Sequence, residues 1–496
     1  MEGGTGLEPG RAARWAGPGW IFLAFSAFGN PNFNLPLDRP YTLRNATPFL
    51  LEAEYHRMLV SSKQRSYVFP RACFSEVDSS QVCRPGGLWS YVDEGRQERV
   101  DLGVQGGLEY RYTQEHVQAY DPGISVMGGS GPVSFYLDAR MFTEIHEDAL
   151  HPSYDREYVD RQDKDLSGSV AYTSFARYRS NLSYDWSWGR LSVARDAVHW
   201  GPGLFHNLMF HQDAVPFPQL VFTTYLGPFS VTSLYGQLAI QGDVMGNYPE
   251  DSLSRTLYAH RYEWQIGSDW LFGVSEHLIF QVKNAPFAFT PFVPLFITKG
   301  FEHERYNNGN LSGDLSYRLP GVGSVYSEFL IDDIYSPTAL FNDFWGNKWA
   351  WMAGIHGTRS WNRWEGGLIG EYSRVEPWVY TSYQKGTRQT ANAGYPLGNQ
   401  LGPNSQAITF KSYLRLGEAY LSWRLDLQWK GTDLGSSIDD DRSGNPPLKK
   451  EFLRGIDRPE ILFAPFFSYS WKSLAAEIRG ISGSRSEFSF RLGLRL

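Results

Sequence analysis

Three carboxylates crowd one short stretch, Tyr326–Ile334, which reads YSEFLIDDI. Glu328, Asp332 and Asp333 at one strand end could reach the ~5–9 Å separation that a glycosidase acid–base pair uses. Charge networks inside barrels are far commoner than catalytic dyads, so these three are expected to be wall groups and the chain is read as no enzyme. His146–His151 (HEDALH) resembles a zinc-protease HExxH but carries one residue too many between its histidines, so the imidazoles would not share a helix face. Asp439–Gly444 (DDDRSG) opens like a calcium loop, yet position twelve is Lys450 where a bidentate glutamate is needed. No G-x-S-x-G, P-loop, strand–helix GxGxxG or CxxC occurs. No metal site and no cofactor is expected.

A second group of residues suits binding better than bond-breaking. Trp345, Lys348 and Trp349 sit together, with Asp343 beside them. Trp378, Tyr380, Tyr383, Lys385 and Arg388 crowd a later stretch. Aromatic faces stack on pyranose rings and cations pair with acidic sugars. Single aromatics near a membrane surface serve equally as an interfacial girdle, so both roles stay open for each. Trp200-Gly201-Pro202-Gly203, followed by Asn207, forces a turn that no strand can continue. It either presents stacking surface at a barrel mouth or holds its loop against a wall. Such turns more often set loop shape.

The elements that must position these groups are strands. The 496 residues are 16% aromatic and 20% charged, with 50 glycines and 28 prolines, a β-rich composition. A mean hydropathy of −0.38 and no apolar run near 18 residues exclude a polytopic helical membrane protein. The net charge of −7 lacks the basic excess of a nucleic-acid binder. From Glu98 the pattern has period two. In the last ten residues Phe488, Phe490, Leu492, Leu494 and Leu496 alternate with polar or small neighbours.

Counting turns gives about eighteen strands, near 98–114, 119–127, 132–142, 168–182, 187–195, 217–227, 229–242, 256–267, 270–281, 309–319, 322–333, 349–360, 363–374, 405–417, 418–430, 459–473, 474–482 and 486–496. Tight connections alternate with mostly long ones throughout. That is the signature of an all-β transmembrane barrel of antiparallel strands in a Gram-negative outer membrane, turns periplasmic and loops outside. A propeller would repeat every ~40 residues, and no such repeat is present. Trp186, Trp188, Trp270, Trp361, Trp364 and Trp471 stand at or beside the tight turns, as a girdle would. Arg177, Arg179, Glu328, Asp332, Glu365 and Glu371 fall on the opposite, lumen-facing side.

The first 97 residues differ. Arg11 and Arg14, the apolar Trp20–Phe28 and the small Ala27 and Gly29 make 1–29 a signal peptide. Residues 30–97 read as a small helical plug: Thr47-Pro48 starts a helix running to about Ser66, and Leu88–Gln97 suits a second. Cys73 and Cys83 have no other cysteine to compete. They are expected to form a disulfide in an oxidising periplasm, and would be two buried thiols in cytosol.

Four motifs together resemble the Wzi capsule-assembly family: Pro36–Tyr41 (PLDRPY), Arg195–Gly203 ending in WGPG, Glu328–Asp333 (EFLIDD) and Pro396–Ser405 (PLGNQLGPNS). The resemblance implies an eighteen-stranded barrel with a periplasmic helical plug, no catalysis and a lectin-like outer face. The partners it implies are surface polysaccharide, outer-membrane lipid, the barrel-insertion machinery and other envelope proteins. The rival expectation, from another class, is a porin or substrate channel, and the discriminator is whether the lumen is filled.

Overall fold

The computed structural model describes residues from Trp89 onward, except 94–97, 113–115, 131, 147–164, 168–169, 240–253, 283–291, 299–306, 321, 337, 339, 362–363, 383–387, 441–447, 457, 472–473, 484–486 and 496. The signal peptide, the helix after Thr47, Cys73, Cys83 and the PLDRPY segment lie outside the described residues.

In chain order the strands are β1 (Trp89–Asp93), β2 (Glu98–Tyr112), β3 (His116–Tyr120), β4 (Gly123–Ser130), β5 (Val133–His146), β6 (Asp165–Ser167), β7 (Val170–Trp186), β8 (Gly189–Asp196), β9 (Phe217–Leu226), β10 (Phe229–Leu238), β11 (Ser254–Ile266) and β12 (Trp270–Val282). After the single helical turn α1 (Leu295–Thr298) come β13 (Asn307–Leu319), β14 (Gly323–Asp333), β15 (Lys348–Trp361) and β16 (Trp364–Val375). The last are β17 (Ala391–Asn392), β18 (Tyr395–Pro396), β19 (Ser405–Leu416), β20 (Ala419–Lys430), β21 (Glu460–Trp471), β22 (Leu474–Gly483) and β23 (Glu487–Arg495).

Each long strand pairs antiparallel with the next, and β23 returns to β2 with Gln105 opposite Arg495. The sheet is therefore a closed ring, which leaves no edge to satisfy inside a bilayer. β3 and β4 act as one stave: both pair with β2 and β5, and Asp121-Pro122 between them marks the break. Proline has no N–H for the ladder, so the stave bends there. Counted this way the ring has eighteen staves. Gly227, Gly267 and Gly417 turn the inner hairpins at φ of 66°, 64° and 55°, a conformation that favours glycine.

The expected helix over 88–97 is absent where it can be seen. Trp89–Asp93 is instead a strand paired with Glu98–Leu102. β23 reaches only Gln105, so the lower edge of β2 would stand open without this hairpin. The polar–apolar alternation turns the molecule inside out relative to a soluble protein. Leu182, Val193, Ile355, Leu368, Leu421 and Phe467 are exposed, while Glu109, Arg261, Asp314, Glu371, Lys411 and Arg491 are buried. Trp188, Trp270 and Trp364 are exposed beside the inner turns, where the girdle was expected. No described helix is long and apolar enough to cross a membrane.

Candidate functional site

The loop after β8, 197–216, does not stay at the rim. It carries almost wholly buried residues and enters the lumen. Its start explains why. Gly201 adopts φ 103°, and a side chain on Gly203 would strike Asn207 and Met352, so only glycine fits this fold-back. Trp200, 2% exposed, packs edge-on to Phe210 at 5.0 Å and has no face left for a sugar. The Asn207 side-chain amide donates to the carbonyls of Trp200 (3.0 Å) and Phe210 (3.3 Å), closing the loop on itself.

Wall carboxylates then clamp the loop. Leu204 N–H donates to Glu371 Oε1 at 2.6 Å; Phe205 and His206 N–H donate to its Oε2 at 2.8 and 3.1 Å. Tyr326 O–H adds a fourth bond at 2.7 Å. Leu208 and Met209 N–H donate to Glu328 at 2.8 and 3.1 Å. Irregular backbone taken out of water must find acceptors, and these carboxylates supply them. Farther on, His206 meets Thr409 at 2.9 Å and Arg424 lies over the Phe205 ring at 4.5 Å. Thr409 is on β19 and Arg424 on β20, the fourteenth and fifteenth staves; the loop leaves from the fifth, β8. The chain has crossed the lumen to the opposite wall.

A second loop, 376–404, locks the first. Tyr380 N–H donates to Asp332 at 2.6 Å and Tyr380 O–H to the Leu208 carbonyl at 2.7 Å. His211 N–H donates to the Leu397 carbonyl at 2.7 Å, and Asn392 bridges Val215 and Ala239. A side chain on Gly398 would lie 1.9 Å from the Leu208 carbonyl oxygen, so the two loops touch backbone to backbone there. Trp200, Leu208, Phe210, Tyr380 and Leu397 belong to one apolar cluster with Met352 of the wall, inside the ring. Three motifs scattered along the sequence thus converge on one interlock.

The carboxylates separate at a break in the ladder. Glu328 and Asp332 are buried and meet the inward loops. Asp333, expected with them, follows a register shift after Ile331 and stands opposite Lys348; it is exposed at the rim, its carboxylate 3.9 Å from the Lys348 ammonium. His146 ends β5, and the rest of HEDALH lies outside the described residues. Asp440 turns its carboxylate to the N–H groups of Gly435 and Ser437.

The outer rim gathers some of the residues expected to meet sugar and parts others. Lys348 is buried with its ammonium 5.7 Å from the Trp345 ring, and Trp345 meets Trp378 edge-on at 6.3 Å. Trp349 is on the other face of β15, stacked on Phe329 at 5.9 Å in the outer girdle. Arg388 lies in the plug loop, its carbonyl accepting from Asn308 at 2.9 Å. Tyr383 and Lys385 lie outside the described residues. Sequence reasoning met Lys450 only as the wrong residue for a calcium loop; it is buried, pairs with Glu376 at 2.9 Å and donates to the Asn347 carbonyl. Burial holds its ammonium below the usual lysine range, against the pull of Glu376. It ties the loop after β20 to the two loops beside it. Asp343, fully exposed, pairs with Lys449 at 3.0 Å, and that partner lowers its carboxyl pKa.

Fold and site together define a transmembrane β-barrel whose lumen is crossed by its own outer loops. The family model for capsule assembly protein Wzi matches residues 120–425, and the chain belongs to that family. Among solved structures, it is similar to Wzi from Escherichia coli, described as an outer membrane protein involved in group 1 capsule assembly and a carbohydrate-binding β-barrel. Identity is 13%, over 80% of this chain and 84% of that one, with a TM-score of 0.49. Other similar solved structures are OccAB1 from Acinetobacter baumannii (11% identity, 80% and 96% covered, TM-score 0.42) and OpdK from Pseudomonas aeruginosa (10%, 80% and 98%, 0.41). No curated protein matches by sequence.

Proposed function

We propose that this protein is a non-enzymatic outer-membrane lectin that holds capsular or exopolysaccharide at the cell surface. One observation supports it most: the loop bearing WGPG spans the lumen and is clamped at Glu371 and Glu328, which disfavours a diffusion channel. What remains for function is the rim, where Trp345 and Lys348 form an aromatic–cationic pair suited to sugar rings. A polymer presents many repeats, so weak single contacts sum to firm retention. Family membership favours the same reading, and the buried carboxylates are engaged with backbone N–H groups, which leaves them ill placed as acid and base.

The test replaces Trp345, Lys348, Tyr383 and Arg388 with alanine together. Polymer should appear in the medium while surface abundance and heat-modifiable migration stay unchanged. Retention equal to the parent would overturn the lectin reading. Large steady conductance of the parent in planar bilayers would favour a porin instead.

A further inference from the structure

One arc of the outer wall breaks the apolar-out rule. On β11 the residues sharing the outward parity of exposed Trp264 and Ile266 are Tyr258, His260 and Tyr262; on β12 Glu276 shares the parity of exposed Trp270 and Phe272. His260 and Glu276 are direct cross-strand partners, and both are buried. Ser233 on β10 and Thr224 on β9 continue this buried polar patch on the lipid side. An uncovered carboxylate there would face hydrocarbon, which barrels avoid.

The cover comes from the loop between β12 and β13. Leu295 N–H donates to Glu276 Oε1 at 2.7 Å and Phe296 N–H to Oε2 at 3.3 Å. Tyr262 O–H (3.3 Å) and His260 Nδ1 (3.2 Å) hold the same carboxylate from the wall. Leu295 is buried in a cluster with Tyr258, Leu278 and Phe280, all of outward parity. Phe292 reaches still deeper. Its ring lies 6.2 Å from Phe222, four residues short of the inner end of β9, and Phe222 also meets Trp186 beside an inner turn. Roughly 13 Å of strand separates that point from the inner turn, at ~3.3 Å per residue. A loop that leaves from the outer rim therefore lies on mid-wall. Phe292 adopts φ 75°, unfavourable for a bulky residue, so docking holds it there. Docked in this way, Phe292 (46%), Val293 and Phe296 (41%) remain exposed.

We propose that 292–298 is an external strap that takes over the lipid contact of this arc: Phe292, Val293 and Phe296 meet the acyl chains of the outer leaflet, while Glu276 satisfies the strap's backbone. The patch is continuous with the lipid belt at Trp264 and Phe272, which argues for lipid as the occupant. Irregular backbone survives at membrane depth only when its polar groups are satisfied by protein, which is the service Glu276 performs.

The test places an environment-sensitive fluorophore at Val293→Cys, and separately at Leu448→Cys (64% exposed in an outer loop), in full-length protein in liposomes. Signal from the chain without an added cysteine is subtracted. At 293 a lipid-borne nitroxide should quench several-fold more than aqueous iodide; at 448 the order should reverse. In Glu276→Gln, checked for heat-modifiable folding, iodide quenching at 293 should rise toward the value at 448. Equal iodide quenching at 293 and 448 in the parent would overturn the proposal. So would quenching at 293 by neither agent, which would mean protein covers the patch. An unchanged 293 signal in folded Glu276→Gln would overturn the role given to Glu276.

Discussion

The inner and outer faces of the same wall use one device against opposite solvents. Inside, Glu371 and Glu328 accept backbone N–H groups from 204–209; outside, Glu276 accepts them from Leu295 and Phe296. In both cases a strand carboxylate stands in for the water that irregular backbone would otherwise bind. The alternatives differ. Water can replace a failed clamp in a lumen wide enough for an aqueous channel. On the lipid side no water is available, so carboxylate and strap stand or fall together. The inner clamp is therefore expected to govern permeation and the outer one the lipid surface.

The sharpest way to break this comparison is to weaken the inner clamp alone. A hydrogen bond inside a protein contributes about 0.5–1.5 kcal/mol net, and Glu371 and Glu328 receive five from the loop backbone. Glu328→Gln with Glu371→Gln should free 197–216 and convert a closed barrel to one that conducts in planar bilayers, with heat-modifiable migration retained. Glu276→Gln, on the other face, should leave conductance at the parent level. Conductance from the outer variant, or none from the inner pair, would erase the distinction.

The staves were largely legible because period two and turn spacing are local. The expected 217–227, 270–281 and 405–417 correspond to Phe217–Leu226, Trp270–Val282 and Ser405–Leu416. The failure came where pairing overrode the local reading: the second helix expected over 88–97 gives way to a strand, Trp89–Asp93, against β2. The site was legible in its side chains and not in their partners. Glu328 and Asp332 could be placed in the lumen from parity, yet what they bind is backbone N–H, which has no sequence signature. Gly398 showed only as one glycine in a Gly/Pro-rich stretch. Glu276 was readable in principle, since SEHLIF puts a carboxylate on the face shared by Phe272 and Phe280. The expectation of apolar residues outside hid it.

A smaller effect should follow from disturbing the contact between the two inner loops without touching either carboxyl group. A methyl on Gly398 would sit 1.9 Å from the Leu208 carbonyl oxygen and 2.7 Å from the Tyr380 hydroxyl, so backbone must move. Overpacking of this kind costs about 1–3 kcal/mol. Gly398→Ala should lower the unfolding temperature and produce brief, partial conductance events, since Glu371 and Glu328 still hold the first loop to the wall. Full opening equal to the double glutamine variant would mean that the second loop, not the carboxylates, is the true bolt.

The smallest effect belongs to the rim, where the buried Lys450–Glu376 pair and the exposed Asp343–Lys449 pair join neighbouring loops. Asp343 has its pKa lowered by Lys449, so the pair's contribution is present above the ordinary aspartate value, ~3.9, and is lost as pH falls through the lower folded value. The pair is fully exposed, so salt screens it and each side chain has water as an alternative. Asp343→Asn should therefore change loop proteolysis at neutral pH barely at all, and any difference from the parent should vanish in high salt. The same difference should also disappear at pH values acid enough to protonate Asp343 in the parent. A large, salt-resistant loosening at neutral pH would show that this pair, and not the buried Lys450–Glu376 pair, holds the rim loops together.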